Sequence, residues 1–522
     1  MEGMELYITE LSKYVIAFLM VLYTLEAFAV FLHKDEKKRS GIYTRQNIWM
    51  VAVHFSCFMV ICFETGVVSF LFFFAFQQIV LLATTALFHV MYPGANRLII
   101  NNMCMLLSVG FVILSRLSYE RAVKQFIIVS FSVAVAIIIP FFIHKFKFLK
   151  KLTWIYAGVG IAALSVVLIL GSTTYGSKIS YSIAGITFQP SEIVKIIFVF
   201  FVAAALHHSV SFTHVLLTAV VAGIHVLVLV LSRDLGRALI FFVVYVLMVF
   251  VATKNPLYLL AGAGGGCGAA LFAYEFFSHV QVRVLAWQDP WSSIDSAGYQ
   301  ITQSLFAISS GGLFGLGLFQ GTPDSIPFVE ADFIFSAIAE ELGIIFAMCV
   351  ILICLSSFLM ILGIASTIQY RFYQLIGFGL AVTYIFQVFL TIGGGSKFIP
   401  LTGVTLPLVS YGGTSVLTSL VLFSIVEGLC LIRRDEDKGL LVDEMELEEE
   451  KYEYPEEAAP EYEYADYRKE SYGKESYRKE SYDYEESRRP GYRKQAGAWD
   501  EIHGMNEIGE IHEMEGVEWF DE

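Results

Sequence analysis

An aspartate in the stretch Ile-Pro-Phe-Val-Glu-Ala-Asp-Phe-Ile-Phe is the first candidate for chemistry. Asp332 ends a long loop and opens an apolar run, so we expect its carboxylate at a boundary between water and lipid. A carboxylate in such a place can act as a general base, or it can hold a divalent cation that activates a hydroxyl. The structural alternative is a helix N-cap, a position that favours aspartate, and the two roles are compatible.

Two further carboxylates follow in the same apolar run. Glu340 lies eight residues after Asp332, which corresponds to about 12 Å along a helix, and Glu341 is its neighbour. An ionised carboxylate at that depth needs a partner. We therefore predict that Glu340 and Glu341 are held in buried ion pairs and are not catalytic.

Two shorter motifs combine acidic and basic residues near helix starts. In Gln-Pro-Ser-Glu-Ile-Val-Lys, Glu192 and Lys195 are three residues apart, which predicts an ion pair on one helical face; a role in shaping a substrate cavity is an equal alternative. In Ser-Arg-Asp-Leu-Gly-Arg, Arg233 and Arg237 can contact phosphate, and Asp234 is expected to orient one of them.

A fourth candidate is the glycine-rich stretch at residues 393–415. It contains Gly-Gly-Gly-Ser-Lys, Pro-Leu-Thr-Gly-Val-Thr-Leu-Pro and Ser-Tyr-Gly-Gly-Thr-Ser in that order. It is not a Walker-type phosphate loop, because no strand precedes it and no Gly-Lys-Ser or Gly-Lys-Thr follows. Non-helical backbone at membrane depth is tolerated only against protein or a wet cavity, and we expect one of these here.

Membrane spans must position all of these residues. The chain has 522 residues, of which 56% are hydrophobic, and its mean hydropathy is +0.64. The apolar residues come in runs of about 20, the length that crosses a bilayer core. The predicted fold class is therefore all-α, a polytopic helical membrane protein. We predict thirteen spans, at about residues 12–32, 47–65, 67–89, 100–116, 124–144, 152–171, 191–208, 213–231, 237–253, 257–277, 333–363, 371–395 and 408–432.

The charge distribution predicts an orientation and a tail. Basic clusters at 33–45, 145–151 and 433–434 fall on one side of a thirteen-span chain, which is the cytoplasmic side by the positive-inside rule. The basic segment 115–124 breaks the rule. The N-terminus and a large loop at 278–331 are then external. Residues 435–522 contain 30 acidic and 11 basic residues, which predicts a disordered cytoplasmic tail. That tail is either a solubilising segment or a docking or phosphorylation segment.

Seven motifs, taken together, closely resemble the shape, elongation, division and sporulation family, whose members include FtsW, RodA and SpoVE. The motifs occur in the order QPSE..K, DLG, R…W.DP, GYQ…S, GG..G.G, IP…DFIF…EELG and PLTGVTLPLVSYGG. The resemblance covers a ten-helix core at residues 100–432, preceded by about three extra transmembrane helices in 1–99 and followed by the tail at 433–522. Departures are Ala331 for a usual Thr, Arg233 for a common Pro, and the absence of an Arg-Trp pair in 176–185.

The resemblance implies a peptidoglycan glycosyltransferase that polymerises lipid II during cell elongation, division or sporulation. It also implies a class B penicillin-binding protein as partner, and nothing in the sequence points to nucleic acid. The aspartate that the family requires is Asp332 here. We expect it to be the catalytic base, with a divalent cation, Mg²⁺ or Mn²⁺, as its possible ligand.

The remaining site residues are assigned to substrate. A leaving pyrophosphate needs positive charge, for which Arg283 and Lys397 are the first choices and Arg233 and Arg237 the second. Gln300 and Ser410, within two of the family motifs, are also expected to bind substrate. Two other functions use the same sequence features: a transporter that flips lipid II across the membrane, and a non-catalytic scaffold for a penicillin-binding protein.

Overall fold

The computed structural model of the protein describes residues 2–174, 177–183 and 186–439. Within them, thirteen helices are long and apolar enough to cross a membrane, which confirms the predicted number. The first residues of the predicted disordered tail, up to Asp437, belong to the last helix, and the tail from residue 440 onward lies outside the described residues. The first three helices precede the family-like region and are α1 (Glu2–Leu32), α2 (Glu36–Thr65) and α3 (Ser69–Met91).

Twelve further helices follow, and ten of them are candidate spans. They are α4 (Arg97–Leu117), α5 (Tyr119–Lys145), α6 (Thr153–Leu170), α7 (Pro190–His208), α8 (Phe212–Leu231), α9 (Leu235–Thr253), α10 (Pro256–Phe276), α11 (Ser278–Gln288), α12 (Tyr299–Gly311), α13 (Ile334–Thr367), α14 (Arg371–Gly395) and α15 (Gly413–Asp437). The shorter helices α11 and α12 lie in the predicted external loop, together with a 3-10 turn at Pro323–Ser325.

Three short strands between α6 and α7 were not predicted. They are β1 (Ser172–Thr174), β2 (Ser177–Ile183) and β3 (Ile186–Phe188), and they form an antiparallel sheet in the order β1-β2-β3. Strands of three to seven residues carry too weak an alternation to be read from one sequence. Part of the 176–185 segment that lacks the family's Arg-Trp pair lies outside the described residues.

The three leading helices are packed on the core and are not a loosely tethered addition. Helices α2 and α3 lie against α4, and α1 lies along α2 and α13. A buried hydrogen-bond chain joins the two parts: Tyr23 Oη donates to Asn102 Oδ1 at 3.1 Å, and Asn102 Nδ2 lies 3.1 Å from the hydroxyls of both Ser356 and Ser357. Polar groups buried in a membrane protein need hydrogen-bond partners, so these hydrogen bonds fix how α1, α4 and α13 meet.

Helix α13 is broken near its beginning, which the sequence prediction missed. Gly343 has φ 85° and ψ 167°, outside the helical region, and separates two helical segments. A Cβ at this position would lie 2.3 Å from Gly315 N, so only glycine fits. Non-local hydrogen bonds fill the gap, from Leu316 N to Glu340 O and from Ile344 N to Gly312 O. The segment after the break is by itself long enough to span a bilayer.

Candidate active site

Asp332 lies in the turn that precedes α13. It is half-buried, and its backbone N–H donates to Phe328 O at 3.2 Å. The N-cap of α13 is Phe333, and no side chain caps the helix. The capping alternative for Asp332 is therefore not observed. No hydrogen bond or ion pair from its carboxylate is present in the described ranges, which leaves this group available to a ligand.

The glycine-rich stretch forms a non-helical segment at 396–412 that is hydrogen-bonded to the two residues before Asp332. Ser410 Oγ donates to Ala331 O at 2.6 Å, and Tyr411 N donates to Glu330 O at 2.8 Å. The segment also folds back along α14, because Thr391 Oγ1 lies 2.8 Å from Val404 O. The expectation of irregular backbone against protein is met. Ser410, however, is 1% exposed, and this position gives no support to its predicted contact with substrate.

The same segment is docked on α9 at the Asp-Leu-Gly motif. A Cβ on Gly236 would lie 2.8 Å from Thr402 O and 2.6 Å from Val404 Cγ2, so the glycine permits this close approach. Arg283 on α11 reaches the same segment, and its Nη1 donates to Leu401 O at 2.9 Å. Asp332 Oδ2 lies near Gly403, 3.7 Å from the position of a Cβ there. One loop thus connects Asp332, Arg283 and α9.

The electrostatic surroundings of Asp332 are mixed. Burial raises the pKa of its carboxyl group to about 6. The guanidinium groups of Arg237 and Arg283 oppose this rise, and the carboxylate of Glu330 adds to it. Glu330 itself is paired with Arg121 at 2.5 Å. A carboxyl group with a pKa near neutrality is ionised at physiological pH and can still accept a proton, which suits a general base.

The other predicted phosphate ligands differ in accessibility. Arg283 and Lys397 are half-buried and Arg233 is exposed. Burial lowers the pKa of His279, and the positive charges of Arg233 and Arg283 lower it further. The two arginines therefore lie at the same end of the helices. Sequence analysis missed His279, because a single histidine outside any motif gives no signal. Gln300 is half-buried in the first turn of α12, with no side-chain hydrogen bond to the described residues.

Arg237 is not available for phosphate, contrary to its assignment. It is 4% exposed and lies between Glu192 Oε1 at 2.7 Å and Asp234 Oδ2 at 3.0 Å. Lys195 completes the cluster through Glu192 Oε2 at 2.6 Å and Gln387 Oε1 at 2.5 Å. The four charges balance, as buried charges must. We call Glu192, Lys195, Asp234 and Arg237 the buried ion network; it lies within electrostatic range of Asp332.

Glu340 and Glu341 have different partners from each other. Glu341 Oε1 accepts from Arg116 Nε at 2.8 Å, which is the expected ion pair. Glu340 instead accepts from the backbone N–H of Thr322 at 2.9 Å, and no cation pairs with it in the described part of the chain. Its predicted ion pair is therefore wrong. Arg116 also pairs with the exposed Asp324, which connects the buried Glu341 to the loop before α13.

The donors near Asp332 decide whether the protein can hold the expected divalent cation. No group of three or more His, Cys, Asp or Glu side chains that could hold a metal is present among the described residues. Asp332 would supply one oxygen ligand, while its charged neighbours Arg237 and Arg283 disfavour a cation. Protein-held Mg²⁺ uses one or two carboxylates and otherwise substrate phosphates and water. The described residues near Asp332 do not form a metal site by themselves.

Fold and site together define a polytopic membrane protein with an accessible carboxylate and cationic side chains at one end of its helices. The sequence profile of the FtsW/RodA/SpoVE family, described as "Cell cycle protein", matches residues 90–434. The chain belongs to this family. It is 32% identical to the peptidoglycan glycosyltransferase RodA of Mycobacterium tuberculosis H37Rv, over 64% of this chain and 77% of the relative.

Two further similarities agree with this family. The chain is 30% identical to the probable peptidoglycan glycosyltransferase FtsW of Bacillus subtilis, over 54% of this chain and 74% of the relative. Its fold is similar to a solved chain described under "Structural coordination of polymerization and crosslinking by a peptidoglycan synthase complex". That match has a TM-score of 0.56 and 24% identity, and covers 65% of this chain and 98% of the other.

Proposed function

We propose that this protein is a peptidoglycan glycosyltransferase that polymerises lipid II, with Asp332 as the general base. The observation that carries the proposal is the half-buried Asp332 carboxylate, which has a pKa of about 6 and makes no hydrogen bond or ion pair to the described residues. Relatives at 30–32% identity are named peptidoglycan glycosyltransferases, and this supports the reaction type.

The reaction joins two lipid-linked sugars. Asp332 accepts the proton of the 4-hydroxyl of one lipid II as that oxygen attacks the anomeric carbon of the other. The new glycosidic bond forms as the bond from the anomeric carbon to the polyprenyl pyrophosphate breaks, and both bonding electrons leave with the pyrophosphate. Arg283 stabilises the charge that develops there, and the partly exposed Lys397 and Arg233 add positive potential at the same end. The buried ion network positions α7 and α9 beneath them.

The orientation and the partner are part of the proposal. The Asp332 turn is assigned to the external side and the C-terminal tail to the cytoplasm, on the basis of the basic clusters at 33–45, 145–151 and 433–434. The exceptional external cations are each paired with a carboxylate, Arg116 with Glu341, Arg121 with Glu330 and Lys124 with Glu120. A class B penicillin-binding protein is the proposed partner, supported by the synthase complex that contains a similar fold.

The proposal is tested with labelled lipid II and the purified full-length protein, alone and with its co-purified partner. Glycan chains resolved on a gel are the expected product, and Asp332→Ala should yield none. Asp295→Ala, which removes an exposed carboxylate from the same external loop, is the matched control and should retain activity. Movement of lipid II between leaflets without polymer would favour the transporter instead. If neither polymer nor movement of lipid II is detected, only the scaffold function remains.

The external position is tested by cysteine labelling in cells. A cysteine introduced at Asp295 in a Cys267→Ser background should react with a reagent that does not cross the membrane. Labelling only after the membrane is permeabilised would place the loop, and Asp332 with it, on the cytoplasmic side.

A further inference from the structure

A polar cavity lies at the end of the molecule that carries the basic cluster 33–45. Helices α2 and α3 meet α4 there, so the added helices build most of its wall. Its volume is about 180 Å³. Drug-sized or nucleotide ligands occupy pockets of about 300–1,000 Å³. The size therefore fits a small polar group and not a larger molecule. The side chains that can contact such a group are those of Tyr43, Thr44, Asn47, Thr85, His89 and Arg97.

Arg97 gives the cavity its charge. It is half-buried at the first position of α4, and its Nη2 lies 2.5 Å from His89 Nε2. No carboxylate pairs with it in the described part of the chain. By contrast, Arg45, Arg116 and Arg237 each have a carboxylate partner. Arg97 resembles Arg283 in having neutral partners only, and such a guanidinium is suited to an anionic oxygen group.

One further observation points to a missing hydrogen-bonding ligand. Asn47 lines the cavity, and its amide oxygen is buried with no partner among the described residues. Buried polar atoms without a partner are uncommon and call for an explanation. An amide can turn over, so Asn47 can present its NH₂ group to an anion. Glu427, whose Oε2 accepts from Asn96 N at 2.6 Å, is not among the residues that line the cavity.

We propose that this cavity binds the phosphate of an anionic membrane lipid. The lipid phosphate occupies the space between Arg97 and Asn47. The acyl chains of the lipid lie along the exposed apolar side chains Leu87 and Val90 of α3. A lipid source is favoured over a free phosphate ion because the cavity opens between membrane-spanning helices. The neighbouring Lys34, Lys37 and Lys38 attract anionic lipids to this end of the protein.

Native mass spectrometry of the full-length protein tests the assignment. The protein is titrated with phosphatidylglycerol and, separately, with phosphatidylcholine, and the first bound lipid is quantified. Phosphatidylglycerol should bind more tightly. Arg97→Gln should weaken it by about 10- to 100-fold, because a hydrogen bond to a charged group is lost. Lys254→Gln, which removes an exposed charge after α9, outside both the cavity and the cluster 33–45, should change the affinity by less than about twofold, since surface charges contribute little.

A second variant protects the test against misfolding of the first. Asn47→Asp keeps the side-chain size and places a negative charge beside the phosphate, so it should also weaken phosphatidylglycerol binding. Equal binding of the two lipids, or unchanged binding in Asn47→Asp, would overturn the proposal. Displacement of the lipid by millimolar inorganic phosphate would overturn the lipid as the source and make a free phosphate ion the occupant.

Discussion

The buried ion network and the surroundings of Asp332 are two charged regions built from neighbouring parts of the chain, and they differ in how their charges are satisfied. In the network, Glu192 contacts both Lys195 and Arg237, and Asp234 contacts Arg237. Asp332 is half-buried and makes no such contact in the described ranges. Removing a charge from a balanced buried cluster affects the fold, whereas removing an uncommitted carboxylate affects chemistry. The difference distinguishes the carboxylates that stabilise the fold, Glu192 and Asp234, from the carboxylate that is available for catalysis, Asp332.

The largest expected effect is on catalysis. Asp332→Asn should lower lipid II polymerisation by about 10²- to 10⁴-fold, the usual contribution of a general base. Its thermal unfolding midpoint in detergent should not fall, because no partner is lost and a raised pKa means that ionisation of this group opposes folding. Substantial polymer from Asp332→Asn would remove the base from the mechanism. A fall in the unfolding midpoint would show that Asp332 also has a supporting role.

The next effect should fall on stability. Glu192→Gln leaves Lys195 and Arg237 with less negative charge, and breaking a buried pair of this kind costs about 3–5 kcal/mol. The free energy of unfolding in mixed micelles measures the change. Glu120→Gln is the matched control, because it disrupts the exposed pair with Lys124 and should not alter stability measurably. Equal stability of the two variants would contradict the supporting role of the network.

Arg283 tests the connection between the two regions. Arg283→Gln should reduce polymerisation by about 10- to 100-fold through loss of positive charge at the leaving group. It should also move the acid limb of the rate profile to higher pH, because Arg283 lowers the pKa of Asp332. Arg283→Lys should restore part of the rate and move the acid limb part of the way back. A lower rate without a pH shift would place Arg283 too far from Asp332 for the proposed geometry.

The smallest effect should be a shift without a loss. In the wild type, polymerisation should fall as the pH drops through about 6, because Asp332 then becomes protonated. Glu330→Gln removes a negative charge that raises this pKa, so the acid limb should move to lower pH. The rate at pH 8 should change by less than about threefold. Measuring kcat/KM between pH 5 and 8 decides the matter, and a shift in the opposite direction would contradict the assignment of the limb to Asp332.

Sequence patterns predicted the features that depend on local composition. The thirteen apolar segments, the Glu192–Lys195 spacing and the irregular backbone at 396–412 follow from helical period, length and glycine content. The break at Gly343 did not, because its cause is non-local hydrogen bonding to residues 312–316. Arg237 and Glu340 were misassigned for a similar reason. A charged residue in a motif does not reveal whether its partner is a substrate, another side chain or a backbone amide.

Helix α4 shows what the added helices change for the rest of the molecule. The 18-residue window that defines this span is fully buried, since α2 and α3 pack on it together with α5 and α13. A span that no longer touches lipid is released from the requirement to be uniformly apolar, and α4 indeed carries Asn101, Asn102 and Ser108 within it. Asn101 depends on α2 for its partners, because its Nδ2 donates to Tyr43 O and Gln46 Oε1, and Asn102 accepts from Tyr23 of α1. The leading helices therefore supply hydrogen-bond partners to a span of the region that the family profile matches.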